Sequence, residues 1–268
     1  MKPGPTLQPF FIYRFLEKNG SHLGWEIEVR DETDSTNRQL KDEILRGEAR
    51  SGRVLFAEWQ SAGQGRRGNP WVGDPGRHLL FSFCLQPKLE PTRISCLTHL
   101  TALALCRTLE DHHLQPEIKW PNDIYLNGRK VAGILVECLS GNNGLWVVVG
   151  IGLNVNGRDD EFPPELRPIA TNLRAHLGGE QEREPLAASI LAHFENLLEM
   201  ARDSFTSLLP DLEKRSFLSG HWIQATHNDE KHTGRVTGLG PEGELMLEQP
   251  DGRTFPLINA TEVRIVNP

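Results

Sequence analysis

Gly63-Gln64-Gly65-Arg66-Arg67-Gly68 limits the fold more than any other stretch of the chain. It satisfies G-x-G-x-x-G, which in a dinucleotide-binding unit lies where a strand gives way to a helix whose N-terminus receives a pyrophosphate. Here Asn69-Pro70-Trp71-Val72-Gly73-Asp74-Pro75-Gly76 follows instead. Two prolines and two further glycines work against an immediate helix, and the next regular pattern, Leu79 to Leu85, is a strand. A different use fits better. Glycines let backbone come close to a ligand, and guanidinium forks match phosphate or carboxylate oxygens. Spacing alone leaves a solvated loop with two arginines as an equal alternative.

The flanking patterns describe a mixed α+β region. Trp25 to Val29 and Arg53 to Trp59 read as strands. Between them Asp34-Ser35-Thr36-Asn37 precedes Leu40, Ile44 and Leu45 at helical spacing, with Gly47 as a stop. Asp34 or Ser35 is the expected cap. Pro91 to His112 reads as a helix with Ile94, Leu97, Ala104, Leu105 and Leu109 on one stripe. Glu117 to Trp120 and Val131 to Cys138 look extended, with a turn at Asn127-Gly128 between them. Leu145 to Val155 is a further strand, and Glu184 to Leu209 a second long helix. Near Phe217 the texture changes to short β-type runs separated mostly by glycine-containing turns: Trp222 to Thr226, Gly234 to Thr237, Glu244 to Leu247, Thr254 to Ile258 and Val263 to Val266. Such spacing suggests a small barrel. The expected division is an N-terminal extension (1–24), a catalytic, ligand-binding α+β region (25–215) and a C-terminal barrel (216–268). Phe10, Phe11, Ile12, Tyr13, Phe15 and Leu16 are too apolar for a free tail and should pack on the central region.

Composition narrows the partners. The net charge of −7 argues against broad attraction to nucleic acid. From Gly63 to Arg77, however, three arginines face one aspartate, a local basic loop suited to a small anionic ligand. No apolar run reaches membrane-spanning length, and no signal-peptide pattern is read at the N-terminus. Cys84, Cys96, Cys106 and Cys138 show no C-x-x-C spacing and read as thiols buried as small hydrophobes. A reducing, cytoplasmic compartment fits.

Two further constellations bear on chemistry. Lys119-Trp120-Pro121-Asn122-Asp123 precedes Gly128-Arg129-Lys130-Val131-Ala132-Gly133. A turn at Asn127-Gly128 would bring Lys119, Asn122, Asp123 and Lys130 to one mouth of a sheet. Cations around an anionic centre, with a carboxylate able to help hold a metal, suit nucleotidyl transfer; a plain hairpin with exposed lysines is the rival. Gly150-Ile151-Gly152-Leu153-Asn154 places glycines inside a strand, which implies a bulge or the close approach of another group.

In this order and spacing the segments resemble the biotin–protein ligases. The resemblance runs from about Asp34 to the C-terminus. It rests on Asp34-Ser35-Thr36-Asn37, Glu58 to Gly68 with Trp71, Lys119 to Ile124, Gly128 to Leu135 with Glu137, and Gly150 to Asn154. It implies a class II aminoacyl-tRNA synthetase-like mixed sheet with helices, followed by an SH3-like barrel. It implies ATP and biotin as substrates, Mg2+, a biotinyl-5′-AMP intermediate, and transfer to a lysine of the biotin carboxyl carrier protein of acetyl-CoA carboxylase. Carried over by position, Ser35, Thr36 and Gln60 would hold the ureido ring, and Gly63 to Gly68 would close over the ligand. Arg66 and Lys130 would serve the carboxylate and α-phosphate, and Gly133 would leave room beside the ring. Arg67, Trp71, Asn122, Asn154 and Arg264 would serve the nucleotide, and Asp123 magnesium. Gln64 and Asn69 stand where the family often has arginine, which bears on retention of the adenylate. Lipoate ligases carry an Arg-Arg-x-x-Gly-Gly-Gly loop that this sequence lacks. The roughly 25 residues before the first strand are too short for the DNA-reading head of the family's repressors, so no DNA partner is expected. Both monomers and homodimers occur in the family.

Overall fold

The computed structural model describes residues 6–87, 94–141 and 144–267. Two sheets organise them. The first is built from β1 (Glu26–Thr33), β2 (Arg53–Gln60), β3 (Leu79–Leu85), β4 (Glu117–Lys119), β5 (Asp123–Leu126), β6 (Arg129–Gly141) and β7 (Gly144–Leu153). Its order is β1-β2-β3-β7-β6-β5-β4. β1 and β2 run parallel and all other neighbours antiparallel. The helices are α1 (Pro9–Lys18), α2 (Thr36–Arg46), α3 (Cys96–Asp111), α4 (Leu173–Leu177), α5 (Arg183–Ser204) and α6 (Leu209–Lys214).

Strand alternation divides the interior into two layers. On β3, Leu79, Phe81, Phe83 and Leu85 join Val54, Phe56, Val147 and Val149 under α3 and α5. The other parity, Leu55, Cys84 and Val148, packs with Leu40 and Ile44 of α2 and with Trp146. Because β3 is covered on both faces, it reads as a continuous apolar run broken by one residue, Ser82, which is fully buried. Its parity sets Ser82 on the α2 side, where the cavity described below opens.

Several expectations need correction. Leu45 is 59% exposed, since only Leu40 and Ile44 fall on the inward stripe of α2. Neither Asp34 nor Ser35 caps α2 through its side chain; Asp34 instead accepts from the Ser35 amide and from Gln39 Nε2. α3 begins at Cys96; residues 91–93 of the expected helix lie outside the described residues. It shows no single stripe, because both flanks of its surface are covered and nearly every residue is buried. The long helix expected to reach Leu209 ends at Ser204, a 3-10 turn spans Phe205–Leu208, and α6 follows. The Asn127-Gly128 turn joins β6 to β5, a four-residue strand too short to stand out in the sequence, rather than to the Glu117 segment. Both turn residues have positive φ, as a tight hairpin requires. Cys138 is exposed, whereas the other three thiols are buried.

α1 lies before the first sheet strand and packs on α5, burying Ile12 and Leu16 together with Leu7. Phe10 and Phe11 are exposed instead, because an amphipathic helix offers only one face to its support.

The second sheet contains β8 (Trp222–His227), β9 (Glu230–Leu239), β10 (Leu245–Glu248), β11 (Thr254–Leu257) and β12 (Thr261–Ile265), all antiparallel, in the order β11-β10-β9-β8-β12. It wraps a core of Leu218, Ile223, Ala225, Val236, Leu245, Leu247, Leu257, Ala260 and Val263. One large side chain in that core comes from the first region: Trp120 is buried there and donates Nε1–H to the Gly243 carbonyl at 3.0 Å. Among the described residues no helix is long and apolar enough to cross a membrane.

Candidate active site

A cleft of about 500 Å³ opens beside α2, within the range of small-molecule sites. Its head is lined by Ser35, Thr36, Asn37 and Gln60, with Phe81, Leu135, Gly150 and Ile151. The glycine loop, the Lys119–Asp123 segment and Lys130 form the other end, and the second sheet adds Ala260, Thr261, Glu262 and Val263.

The head is a paired polar network. Gln60 Oε1 accepts from the Thr36 amide at 2.8 Å and faces the Thr36 hydroxyl at 3.2 Å. Thr36 Oγ1 lies 2.6 Å from Ser82 Oγ, which donates to Asn37 Oδ1 at 2.5 Å. Asn37 Nδ2 donates to Glu137 Oε2 at 2.8 Å. A Cβ at Gly150 would collide with the Asn37 amide, so the glycine here is what admits that side chain.

The opposite end is cationic and less tightly paired. The register of β5 on β6 shifts between Ile124 and Tyr125, pairing Ala132 and then Lys130, so Val131 is an extra residue. In an unbroken strand Lys130 and Gly133 would face opposite sides. The bulge instead brings Lys130 Nζ within 3.1 Å of where a Gly133 Cβ would stand. The segment after Pro168 fixes the bulge: Lys130 N donates to Ile169 O, and Thr171 N donates to Lys130 O, each at 2.8 Å. Lys130 Nζ lies 2.7 Å from Asp123 Oδ1, although that oxygen has no well-directed hydrogen bond. The contact is therefore mainly electrostatic. Trp71 covers the pair, with Lys130 Nζ 5.4 Å from its ring centre. The indole lies on a platform made by the missing side chains of Gly133 and Gly152. Its Nε1 is buried without a hydrogen-bond partner.

Loop closure follows from the glycines. Gly63 O accepts from Trp71 N at 2.9 Å and Asn69 O from Gly65 N at 2.7 Å, and a Cβ on Gly63 would stand 2.9 Å from Trp71 O. Arg67 adopts φ 57°, an uncommon angle for a residue with a Cβ. Arg66 Nη1 donates to Asn122 Oδ1 at 3.3 Å, and Asn122 Nδ2 to Ile134 O at 2.9 Å. Burial pulls the Arg66 pKa below the ordinary arginine value, partly offset by Asp123 and reinforced by Arg67. A guanidinium remains charged even so. Lys119 Nζ donates to Tyr125 Oη at 3.2 Å, which leaves it beside the cleft.

The structure thus gathers Ser35, Thr36, Gln60, Arg66, Arg67, Trp71, Asn122, Asp123, Lys130 and Gly133 around one cavity. It places three expected residues elsewhere. Gly63 supports the loop base rather than lining the cleft. Asn154 is 4% exposed and turned inward, donating Nδ2–H to Thr171 O at 3.0 Å. Arg264 is exposed and off the lining; alternation on β12 turns its buried neighbour Val263 inward and Arg264 out. The cleft takes Glu262, with φ 50°, from this strand instead. Sequence reasoning missed Ser82 and the role of Asn37. A lone polar residue within the apolar run Leu79 to Leu85 was the available signal.

Comparisons with known proteins identify the family and the fold. A profile described as the biotin/lipoate A/B protein ligase family matches residues 29–154. The chain is 32% identical to the bifunctional ligase/repressor BirA of Escherichia coli, over 90% of this chain and 75% of that protein. It is 33% identical to a biotin–[acetyl-CoA-carboxylase] ligase of Paracoccus denitrificans, over 86% of this chain and 97% of that protein. A solved biotin protein ligase of Aquifex aeolicus in complex with biotin and ATP superposes with a TM-score of 0.79, at 28% identity, over 90% of this chain and 99% of that one. The chain belongs to the biotin/lipoate A/B protein ligase family. Its mixed sheet and separate antiparallel sheet match the biotin protein ligase structures, as the α+β, synthetase-like expectation required.

Proposed function

We propose that this chain is a biotin–protein ligase that forms biotinyl-5′-AMP in the cleft and passes biotin to a lysine of a biotin carboxyl carrier protein. The observation that supports biotin over lipoate is the head of the cavity. Ser35, Thr36 and Gln60 set hydrogen-bonding groups at its end. A cyclic urea has donors and an acceptor to meet them, whereas an apolar dithiolane would leave them unpaired, at a substantial cost in affinity.

With the urea at the head, the carboxylate at the far end of the valeryl chain reaches Lys130 and Arg66. Both substrates are anions there, and the two cations reduce their repulsion. The carboxylate oxygen attacks the α-phosphorus of ATP, the bond to the β-phosphate oxygen breaks, and pyrophosphate leaves. Lys130 and Arg66 oppose the charge that builds up during that exchange. Lys130 must first leave Asp123, and that release frees the carboxylate. Magnesium ordinarily takes one or two carboxylates plus substrate phosphates. A single freed Asp123 fits that need, and the ion would neutralise phosphate charge. Trp71 and Asn122 flank the nucleotide, and Arg67 reaches it from the loop. In the second step the carrier amine attacks the acyl carbon, AMP leaves, and the amine loses a proton. The division at about residues 25 and 216 assigns both substrates to the first sheet, with the second sheet closing one wall.

The test is incubation with ATP, biotin and a biotin carboxyl carrier domain, read by mass spectrometry. One added biotinyl group on a single lysine, with AMP formed, supports the proposal. An unmodified carrier contradicts it.

A further inference from the structure

We propose that Ser82, backed by Asn37 and Glu137, is a positioning residue that fixes the Thr36 hydroxyl as a hydrogen-bond acceptor toward the cavity. The proposal deepens the reading that the cavity head holds the ureido ring, and it rests on that reading.

Proton counting carries it. Asn37 Nδ2 faces two groups that only accept, Glu137 Oε2 at 2.8 Å and Leu135 O at 3.4 Å. The Asn37 amide is therefore set with its oxygen toward Ser82. Ser82 has one proton and gives it to Asn37 Oδ1 at 2.5 Å. Toward Thr36 it can then only accept. The Thr36 proton accordingly points at Ser82, the nearer oxygen at 2.6 Å, rather than at Gln60 Oε1 at 3.2 Å. Gln60 Oε1 is already served by the Thr36 amide at 2.8 Å. What remains for the cavity on Thr36 Oγ1 is a lone pair, which matches a ligand N–H.

The chain has an anchor at its far end. Lys41 Nζ lies 2.7 Å from Glu137 Oε1 and holds that carboxylate. Ser82 itself is completely buried and does not line the cleft, so it acts through Thr36. The network runs in one direction, Thr36 to Ser82 to Asn37 to Glu137, and each member has a donor or acceptor role left by its neighbour. Such chains can be worth more than their separate bonds. Gly150 keeps the Asn37 amide in place, since a Cβ there would displace it.

A double-mutant cycle on the full chain tests this. Biotin affinity is measured by titration calorimetry for Ser82→Ala, Thr36→Val and the pair, with ATP affinity and ligand-free melting recorded alongside. Ser82→Ala is expected to weaken biotin about tenfold, one hydrogen bond's worth, and to leave ATP binding unchanged. In the Thr36→Val background the same change is expected to cost less than about twofold, because its target is gone. Should Ser82→Ala fold poorly, Ser82→Cys keeps the shape with a weaker donor and acceptor and is expected to fall between. A wild-type biotin affinity in a folded Ser82 variant, or an equal loss in both backgrounds, overturns the relay. Wild-type biotin affinity in Thr36→Val overturns the ureido reading itself, and the relay with it.

Discussion

The two ends of the cleft are built on opposite rules. At the head, each polar atom of Thr36, Ser82 and Asn37 that the fold buries has a partner, and the partners lie on β2, β3, β6 and α2. At the cationic end, Trp71 Nε1 is buried without a partner, Asp123 Oδ1 has no directed bond, and Arg67 holds a positive φ in an exposed loop. A satisfied network on strands resists change and selects by shape and polarity. An under-satisfied cluster on a loop and a bulge can exchange partners when substrate arrives. The comparison teaches that selection and chemistry are divided between the two ends, with rigid sheet supporting one and adjustable backbone the other.

The strongest attempt to break that division is Lys130→Ala. Its expected effect is a fall in biotin-dependent adenylation of about a thousandfold with less than about tenfold change in biotin affinity, measured by single turnover and by calorimetry. Equal losses in both would place Lys130 in binding rather than in the reaction. Next is Gly152→Ala, whose methyl group would lift Trp71 from its platform. Adenylation is expected to drop about a hundredfold through misplacement of the loop, with biotin affinity nearly kept. A normal rate would mean that the indole does not position the nucleotide. Gln60→Leu addresses the head: biotin affinity is expected to fall about tenfold to a hundredfold, and ATP affinity to stay within about twofold. Loss of ATP binding would erase the boundary between the ends.

The smallest effect on the chemistry concerns the frame. His78 is buried between Gly73 and Gly157 at the foot of the loop, and its Nδ1 accepts from Val155 N at 3.3 Å. Burial, with Arg183 and Arg77 adding, lowers its pKa to about 4. Burial lowers His99, under the Gly243 turn, to about 4 as well. A histidine depressed when folded binds its proton more readily when unfolded. Its contribution is therefore complete above about pH 6.5 and is lost as pH falls toward 4, on the order of a few kcal/mol for each. Melting temperature is expected to fall through that window, and His78→Asn to flatten part of the slope. A flat profile in the wild type would contradict the buried neutral imidazoles.

Much of this was legible in residue order. Leu79 to Leu85 matched its strand to the residue, because a strand buried on both faces is an unbroken apolar run. The absence of a helix after Gly68 followed from Pro70 and Pro75. Thr36, Gln60, Arg66, Asp123 and Lys130 meet at one cavity as the resemblance implied. What sequence could not show depended on geometry across strands. The bulge at Val131 decides which face Lys130 takes, and a register shift leaves no local mark. Asn154 turns inward because Thr171 offers it a carbonyl, and Arg264 turns outward by the parity of β12. Trp120, which reads as part of a catalytic motif, borders the cleft and also fills the core of the second sheet. Its side chain joins the Lys119–Asp123 segment to the wall that carries Glu262.

The most direct measurement is exchange of labelled pyrophosphate into ATP with the purified chain and no carrier, comparing biotin with lipoate. Exchange that depends on biotin and is absent with lipoate is the result expected from a polar head joined to a cationic reaction end. Absence of exchange from folded protein, or equal exchange with lipoate, would contradict the account.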